Sequence, residues 1–304
     1  MPYVKKTAAE TLPVELRLDR YIAENLGLLS RSQIKARKLH AKINGKDVKI
    51  SRPVKTGDII ELSWEDSVTE DLIPENLPLD ILYEDERLAV INKEQGMVVH
   101  PGAGNRQGTL ANALYFRRLR KGICAESPRP GIVHRLDKDT SGVIIAAYND
   151  AALAFLSEQF KLRKVKKTYI AIVNGVPKEK KGRIETFISR DRNNRKRFAV
   201  SEKGKYALTL YSVKKTWQTH SLVLLRPKTG RTHQLRVHLR SIGCPVAGDP
   251  LYGRGDLLFP KASLMLHSKQ LEISLPGETG TRVFKAPLPS RFIGMIRFLD
   301  QIVR

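Results

Sequence analysis

A short polar loop carries the sequence GIVHRLDKDTSG (131–142), and the apolar run VIIAA (143–147) follows it directly. Five ionisable side chains are crowded into this loop: His134, Arg135, Asp137, Lys138 and Asp139. A strand that borders such a loop gives rigid support to groups that must meet a substrate. A carboxylate among several cations is also a group whose charge state an active site controls. The segment therefore predicts a strand with a candidate active site beside it.

The charge of the chain is strongly positive. Its 304 residues include 54 Lys and Arg against 31 Asp and Glu, which gives a formal net charge of +23. Because 41% of the residues are hydrophobic, a folded core is expected and disorder does not explain the charge. Such an excess most often indicates a polyanionic partner, although a solubility device or an anionic membrane surface are alternatives. No basic amphipathic stretch with large apolar residues opposite stands out, so nucleic acid is favoured over membrane.

The cysteines and the N-terminus bear on the cellular compartment. Cys124 and Cys244 lie far apart and form no Cys-x-x-Cys pair, which fits a reducing compartment. Residues 1–15 contain no apolar signal-peptide core, and no uninterrupted apolar run approaches the length of about 18 residues that a membrane helix needs. We therefore expect a soluble, cytoplasmic protein with one large and one small domain, or with two medium domains.

The first 65 residues predict a small basic module. Four apolar residues mark one side of a first helix, which would stop at Gly27: Leu16, Leu18, Ile22 and Leu26. A second predicted helix carries a cationic stripe at i, i+4 and i+7: Arg31, Lys35 and Lys38. Asn44-Gly45 predicts a hairpin that places Lys46 next to it. A charge run is usually only a solvated face, but a stripe beside a hairpin also suits a phosphate backbone.

Three stretches of this module carry a recognisable pattern: LRLDRYI (16–22), SRSQ (30–33) and INGK (43–46). Together they resemble an S4 RNA-binding domain, so we expect four cations to bind RNA: Arg31, Lys35, Lys38 and Lys46. An acidic stretch with Pro74 and Pro78 follows the module. We therefore predict an S4 domain at 1–65, a linker at 66–78 and a catalytic domain at 79–304.

The region from residue 79 onward predicts a larger mixed domain. The expected elements are a buried strand at LAVI (88–91), an amphipathic helix beginning near Asn149, a strand at TYIAIV (168–173) and a terminal helix within 287–304. Because strands are separated irregularly by helices and hairpins, we expect an α+β fold rather than regular βαβ winding.

Several common active-site motifs fail on spacing. The glycine-rich stretch 102–109 matches neither Gly-x-Gly-x-x-Gly nor the Gly-Lys-Ser/Thr ending of a P-loop, although its backbone could still hold an RNA phosphate. Ser141 is followed by Gly142 but has no glycine two residues before it, so the sequence contains no nucleophile elbow. His134, His233 and His238 lack the spacing of a metal site, so a structural or RNA-contacting role is favoured for each.

A second polar segment has the sequence KTGRTHQLRVHLR (228–240). On a helix, three residues would share one polar face: His233, Arg236 and Arg240. A basic, solvated helix would explain the pattern. The alternative is an arginine delivered to a partner carboxylate, with neighbouring cations for phosphates.

Five further motifs occur in order along the chain: GMVVHPGAG (96–104), HRLD (134–137) with TSG (140–142), KTY (167–169), TGRTHQ (229–234) and GDPLYG (248–253). With the S4-like module, they resemble the pseudouridine synthases of the RluA type almost to the C-terminus. The resemblance implies a mixed, largely antiparallel sheet with flanking helices. One departure is Glu94-Gln95, where we expect a proline near the glycine. It should alter the approach of a loop and leave the chemistry intact.

The resemblance also implies a catalytic set of Asp137, Tyr169 and Arg236. Asp137 matches the aspartate that attacks the uridine or removes a sugar proton, so that the base detaches, rotates and rejoins through C5. Arg236 matches the arginine that pairs with this aspartate, and Tyr169 matches the tyrosine that packs on the base and assists proton removal at C5. Five more residues are expected at the substrate, with Arg135 holding or replacing the flipped base: Arg135, His134, Arg231, His233 and His100. No metal, nucleotide or redox cofactor is implied.

The implied partner is structured RNA, namely large-subunit rRNA in the stem-loop called helix 69, free or within a pre-ribosomal particle. The enzyme is expected to be a monomer. Alternatives are a related enzyme acting on another rRNA site or on tRNA, and a non-catalytic RNA-binding or assembly factor. The intact set Asp137, Tyr169 and Arg236 counts against the last. Basic tracts at 161–167 and 190–197 would form an electrostatic funnel around one pocket.

Overall fold

The structure is a computed structural model of the chain. It describes residues 2–8, 16–29, 33–34, 37–65, 72–102, 104–123, 131–253, 255–256 and 258–302. The chain divides into two compact units, Met1–Asp71 and Leu72–Arg304.

The described part of the unit Met1–Asp71 contains short strands packed around the helix at Leu18–Glu24. Its described elements are β1 (Tyr3–Thr7), β2 (Leu16–Arg17), α1 (Leu18–Glu24), β3 (His40–Ile43), β4 (Lys46–Asp47), β5 (Pro53–Val54) and β6 (Ile59–Ser63). The sheet has the strand order β1-β6-β3-β4 and is antiparallel, while β2 pairs with β5. Alternate residues of β6, Ile60 and Leu62, pack with Leu18 and Ile22 of α1 into one core.

The local conformation of this unit confirms one sequence prediction and corrects another. Asn44 and Gly45 have φ angles of 53° and 76°, the left-handed pair that the predicted hairpin turn requires. Lys38 does not continue a helical stripe: it has a φ of 47°, and its ammonium lies 3.0 Å from Glu65. Leu39 N–H donates to the Ile34 carbonyl at 3.1 Å, a bond typical of the C-terminal end of a helical turn. Two further predicted RNA contacts fall outside the described residues: Arg31 and Lys35.

The unit Leu72–Arg304 contains one large sheet with helices packed against it. Its strands are β7 (Ile81–Glu84), β8 (Leu88–Lys93), β9 (Gly131–Ile132), β10 (Ser141–Ala147), β11 (Lys166–Asn174), β12 (Lys181–Arg190), β13 (Phe198–Val200), β14 (Lys205–Thr216), β15 (His220–Pro227), β16 (Leu266–Ile273) and β17 (Arg282–Lys285). Its described helices are α2 (Leu110–Arg120), α3 (Asp150–Lys161), α4 (Gln234–Ser241) and α5 (Ser290–Ile302). The predicted α+β fold is confirmed.

The strand after the polar loop, β10, is buried along its whole length because it is covered on both sides. Ile144 and Ala146 belong to one apolar cluster, whereas Val143, Ile145 and Ala147 belong to another. Successive side chains of a strand point to opposite faces, so the two clusters lie on the two faces of the sheet. This explains why the strand reads as a continuous apolar run rather than an alternating one.

Strand β16 joins two halves of the large sheet. The order is β13-β12-β14-β15-β11-β16-β10-β8-β7. On one side of β16 is β10, which follows the first polar segment; on the other are β11 and then β15, which precedes the second polar segment. Its pairing with β10 is parallel, whereas the other described pairings of this sheet are antiparallel. A side chain at Gly142 would collide with the Ser268 backbone, so glycine permits this close approach.

The predicted ends of a helix and a strand agree with the structure where a cap or a turn defines them. The Asn149 side chain accepts a hydrogen bond of 2.9 Å from Ala152 N–H and begins α3. Strand β11 ends at Asn174, before Gly175 with a φ of 95°. No helix in the described ranges is long and apolar enough to cross a membrane.

Part of the segment predicted as a linker belongs to the larger unit. The Asn112 amide donates to the Ile73 carbonyl at 2.8 Å, and the Glu75 carboxylate accepts from Gly108 N–H at 3.1 Å. Residues 72–78 are therefore tied to the start of α2, because its first turn offers polar groups that the extended chain can satisfy.

Candidate active site

A large cavity opens where residues 133–137, the start of β11 and residues 226–236 meet. Its volume is about 890 Å³, within the range of ligand sites. Its charged lining is mostly cationic, with Arg and Lys contributed by all three segments and carboxylates at Asp137 and Glu272. A concave surface of this kind concentrates anionic ligands.

Asp137 reaches the cavity from the polar loop, and one of its oxygens is already engaged. Its Oδ2 lies 3.3 Å from Arg236 Nη1 and 3.9 Å from His233 Nε2. The side chain is 21% exposed. Thr140 N–H donates to the Asp137 carbonyl at 3.0 Å and closes the turn that follows. The sequence expectation that Arg236 meets Asp137 is thereby met in the geometry, while the chemical role of the pair stays a prediction.

Arg236 is held from behind by a second carboxylate. Asp249, whose side chain is fully buried, accepts from Arg236 Nε at 2.7 Å and from Nη2 at 2.8 Å. It also accepts from Leu251 and Tyr252 N–H, which fixes its orientation. Burial opposes the charge of Arg236, but Asp249 and Asp137 outweigh it and raise the pKa of the guanidinium. Arg236 is therefore a fixed cation, and Asp249 is a site residue to which sequence reasoning assigned no role.

His233 lies beside the Asp137 carboxylate and has an unusual backbone conformation. It precedes α4 with a φ of 54°, a left-handed conformation that is uncommon for a residue with a side chain. Its Nδ1 lies 2.9 Å from the Tyr252 hydroxyl, which accepts from Phe198 N–H at 2.7 Å. Burial, together with Arg236 and Arg135, lowers the pKa of His233 despite the opposing charge of Asp137. The ring is therefore neutral at neutral pH.

Tyr169 lines the cavity near the beginning of β11 and is 8% exposed. A register shift in the pairing of β11 with β16 lies between Thr168 and Tyr169. Burial raises the pKa of Tyr169 to about 12, and the negative charge of Asp137 acts in the same direction. The phenol therefore stays protonated at neutral pH, so it offers a ring face and an O–H donor.

Two residues that sequence reasoning gave no part in the site hold the Asp137 loop from below. Lys93 is 1% exposed, and its ammonium donates to the carbonyls of Glu94, Met97 and Lys138 at 2.8–3.0 Å. Burial lowers its pKa to about 8. A lysine at the end of the apolar strand sequence LAVINK was the available signal, since its side chain continues the buried face.

Gln95, at the departure from the family pattern, is the second of these residues. Its amide donates to the Asp139 carbonyl at 3.0 Å and to the Leu264 carbonyl at 3.1 Å. Its oxygen accepts from Ser263 Oγ at 2.9 Å. The departure therefore adds contacts between the Asp137 loop and the segment that leads into β16.

The remaining predicted substrate contacts are distributed unevenly. Arg135 is exposed and lines the cavity, and Arg231 lines it while its Nε donates to the Tyr206 carbonyl. His134 also lines it, but the ring stacks on Phe160, and Nε2 accepts from a backbone N–H. Burial lowers the pKa of His134 to about 3. His100 is exposed and is not among the described residues that line this cavity.

Described residues of the two basic tracts line two cavities. Lys161, Arg163, Lys166 and Lys167 of the first tract line the large cavity. From the second tract, the described lining includes Arg197 only, and it belongs to a different, smaller cavity. Among the described residues the two tracts thus line different cavities, and their combination into one electrostatic funnel stays a prediction.

Comparison with known proteins settles the family. Residues 87–241 match the family described as RNA pseudouridylate synthase. This chain belongs to that family. The expected enzyme class, an RNA pseudouridine synthase, is confirmed.

Relatives of this synthase cover almost its full length. It is 46% identical over 287 residues to ribosomal large subunit pseudouridine synthase D of Borreliella burgdorferi. The matched region covers 91% of this chain and 88% of the relative. It is 42% identical over 300 residues to the protein of the same name from Xylella fastidiosa, covering 94% and 89%. Among solved structures, human RNA pseudouridylate synthase domain containing 4 matches with a TM-score of 0.59 and 28% identity, covering 73% of this chain and 93% of that chain.

Proposed function

We propose that this synthase converts uridine to pseudouridine in large-subunit rRNA, in the stem-loop helix 69, with Asp137 acting on the nucleoside. The observation that carries the proposal is the carboxylate of Asp137 in a cationic cavity, with one oxygen held by Arg236. Two relatives are named for the large ribosomal subunit, which supports this substrate class. The free rRNA or a pre-ribosomal particle would be the partner of a cytoplasmic monomer.

The two oxygens of the Asp137 carboxylate have different surroundings. Oδ2 faces Arg236 and His233, whereas Oδ1 has no hydrogen-bond partner among the described residues. Arg236 favours the ionised carboxylate through its charge. Oδ1 would then either attack the uridine or remove a sugar proton, after which the base detaches, rotates and rejoins through C5.

The base needs a pocket during this rotation, and two residues fit that requirement. Tyr169 presents a buried ring beside Asp137 on which an extruded base can pack. Arg135, exposed two residues before Asp137, would hold the flipped base or occupy the space that it leaves. Because the phenol stays protonated, the Tyr169 hydroxyl would assist loss of the C5 proton as a relay, accepting it while its own proton passes to water.

The test of the reaction uses RNA that lacks the modification. Total RNA from a strain without this enzyme is incubated with wild-type protein, and pseudouridines are mapped at nucleotide resolution. New pseudouridine in helix 69 is expected with wild type, and none is expected with Asp137→Asn. Modification at another rRNA site or in tRNA would redirect the substrate assignment. A wild-type protein that adds no pseudouridine to any RNA would falsify the proposal.

The unit Met1–Asp71 is proposed to act as an S4 domain that grips the RNA. Lys46 is exposed on β4, beside the hairpin turn at Asn44. A triple variant, Arg31→Gln, Lys35→Gln and Lys46→Gln, should weaken rRNA binding and reduce the log–log salt slope by roughly 2–3. The matched control removes three cations from the larger unit: Arg120→Gln, Lys285→Gln and Arg297→Gln. Equal losses in the two proteins would contradict a special role for this unit.

A further inference from the structure

A second cavity of about 390 Å³ shares a wall with the active site. Tyr252 lines this cavity, and its ring also lies 5.0 Å from the Arg236 guanidinium and 5.6 Å from the His233 ring. The other polar side chains of the described lining are Asn174, Arg197 and Arg240. No Asp or Glu is present in that lining, so the two arginines face the space without a neutralising carboxylate.

Two buried polar atoms in this wall lack partners. Within the described chain, neither Arg197 Nε nor Asn174 Oδ1 makes a hydrogen bond, and both atoms are shielded from solvent. An unsatisfied buried donor or acceptor costs about 1–3 kcal/mol, and more for a charged group. Native structures rarely keep such groups without a ligand or ordered water. A ligand in the cavity would satisfy both atoms once side-chain rotation brings them to its surface, by offering an acceptor to Arg197 and a donor to Asn174.

We propose that this cavity binds one ribonucleotide of the RNA strand that flanks the target uridine. Its phosphate would lie between Arg197 and Arg240, because guanidinium groups match phosphate oxygens in geometry and charge. Its 2′-hydroxyl would donate to Asn174 Oδ1, a contact that distinguishes RNA from DNA. The inference rests on the proposed function and adds a subsite to it.

The cavity is connected to the active site through the chain itself. Arg197 immediately precedes Phe198, whose N–H donates to the Tyr252 hydroxyl and whose ring lies 5.5 Å from the His233 ring. Asn174 ends β11, the strand that carries Tyr169. A nucleotide bound at Arg197 and Asn174 therefore steadies Phe198 and Tyr252, which in turn position His233 against Asp137.

The test neutralises one phosphate at a time. A helix 69 stem-loop fragment is prepared with single methylphosphonate substitutions, and Kd is measured by fluorescence anisotropy. At one phosphate, neutralisation should weaken binding to wild type roughly tenfold, which is the loss of about one charge-assisted contact. The same substitution should have little further effect on Arg197→Gln or Arg240→Gln. The matched control, Arg120→Gln on the exposed end of α2, should respond as wild type does.

A second substitution tests the sugar contact. Asn174→Ala should weaken binding of the all-ribose fragment, and it should lose that effect when the same nucleotide carries a 2′-deoxyribose. Arg197→Lys keeps the charge and should recover part of the affinity. Because Arg240 is exposed, Arg240→Gln provides the decisive comparison if a change at the partly buried Arg197 unfolds the protein.

The outcomes separate this inference from the proposed function. Suppose that each single phosphate substitution weakens RNA binding by the two arginine variants as much as it weakens binding by wild type. The cavity then holds no phosphate, and the inference is overturned. If the coupling is found but wild type forms no pseudouridine, the inference stands and the proposed reaction fails. If pseudouridine forms normally without any coupling, only the second cavity is excluded as an RNA subsite.

Discussion

The loop that carries Asp137 and the helix that carries Arg236 meet at 3.3 Å, but they are held in place by different forces. Arg236 is fixed by charge, through two bonds to the buried carboxylate of Asp249. The Asp137 loop is fixed through its backbone, by hydrogen bonds from Lys93 and Gln95 to the Lys138 and Asp139 carbonyls. The cation is therefore immobile and fully paired, while Oδ1 of the Asp137 carboxylate has no hydrogen-bond partner among the described residues.

Removing the charge of Arg236 should produce the largest effect on this arrangement. Arg236→Gln leaves Asp249 buried without its counter-charge, so the free energy of unfolding should fall by about 3–5 kcal/mol. Equilibrium unfolding in urea measures it. Asp249→Asn in the same chain should restore part of the stability, because no lone buried charge remains, while pseudouridine formation stays low. A loss below about 1 kcal/mol for Arg236→Gln would show that Arg236 is not fixed by charge.

The second largest effect is expected in acid, where protonation of His134, in the Asp137 loop, should lower the free energy of unfolding. His134 has a pKa of about 3 in the folded protein against an ordinary value of 6.5, because burial disfavours its charged form. Between these values the unfolded chain binds a proton that the folded protein does not, so stability falls as the pH drops from 6.5 towards 3. The loss should be roughly 2–4 kcal/mol.

The measurement is the free energy of unfolding of wild type and His134→Gln across this pH range. The difference between the two proteins isolates the histidine from the carboxylates, which titrate in both. Parallel curves would show that His134 is as easily protonated in the folded state as in the unfolded chain.

Alkaline conditions should act on the same loop through Lys93. Here the free energy of unfolding should rise, whereas acid lowers it through His134. Its folded pKa is about 8 against an ordinary value of 10.5, so the folded protein loses the proton first as the pH rises. Stability conferred by this group should therefore increase between pH 8 and 10.5, by about 2–3 kcal/mol relative to Lys93→Met. Lys285→Met, at an exposed strand position, serves as the control and should show a flat difference.

The smallest expected effect concerns Gln95. Gln95→Ala removes three hydrogen bonds of the loop, so stability should fall by about 1–2 kcal/mol. Pseudouridine formation at saturating RNA should decrease a few-fold, with Kd for RNA unchanged. Gln107→Ala, at an exposed position of the same unit, should change neither quantity. An unchanged rate for Gln95→Ala would show that backbone contacts elsewhere are enough to position Asp137.

The sequence predicted those features whose cause is local. The apolar run of β10, the asparagine cap of α3 and the left-handed pair at Asn44-Gly45 each lie within a few residues of the pattern that specifies them. The resemblance to a family added the meeting of Asp137 with Arg236, which are 99 residues apart. Local patterns alone left both ends of that pair open.

Other features depend on contacts between distant segments, which a single sequence does not display. Lys93 reads as a charged strand end, yet three carbonyls from residues 94–138 draw it inward. Asp249 lies inside a recognised motif, but its role appears only when α4 brings Arg236 against it. The second cavity draws its wall from several separated segments, so no motif of its own could mark it.

The position of β16 has a consequence for the birth of the enzyme on the ribosome. This strand is made after Asp137, Tyr169 and Arg236, and it is the one that joins their two halves of the sheet. Domains fold as units while the chain emerges from its N-terminus. The nascent polypeptide therefore lacks an assembled candidate site until β16 has emerged and paired with β10 and β11. A chain still tethered to a translating ribosome, surrounded by rRNA, is thus expected to be inactive until this strand has paired.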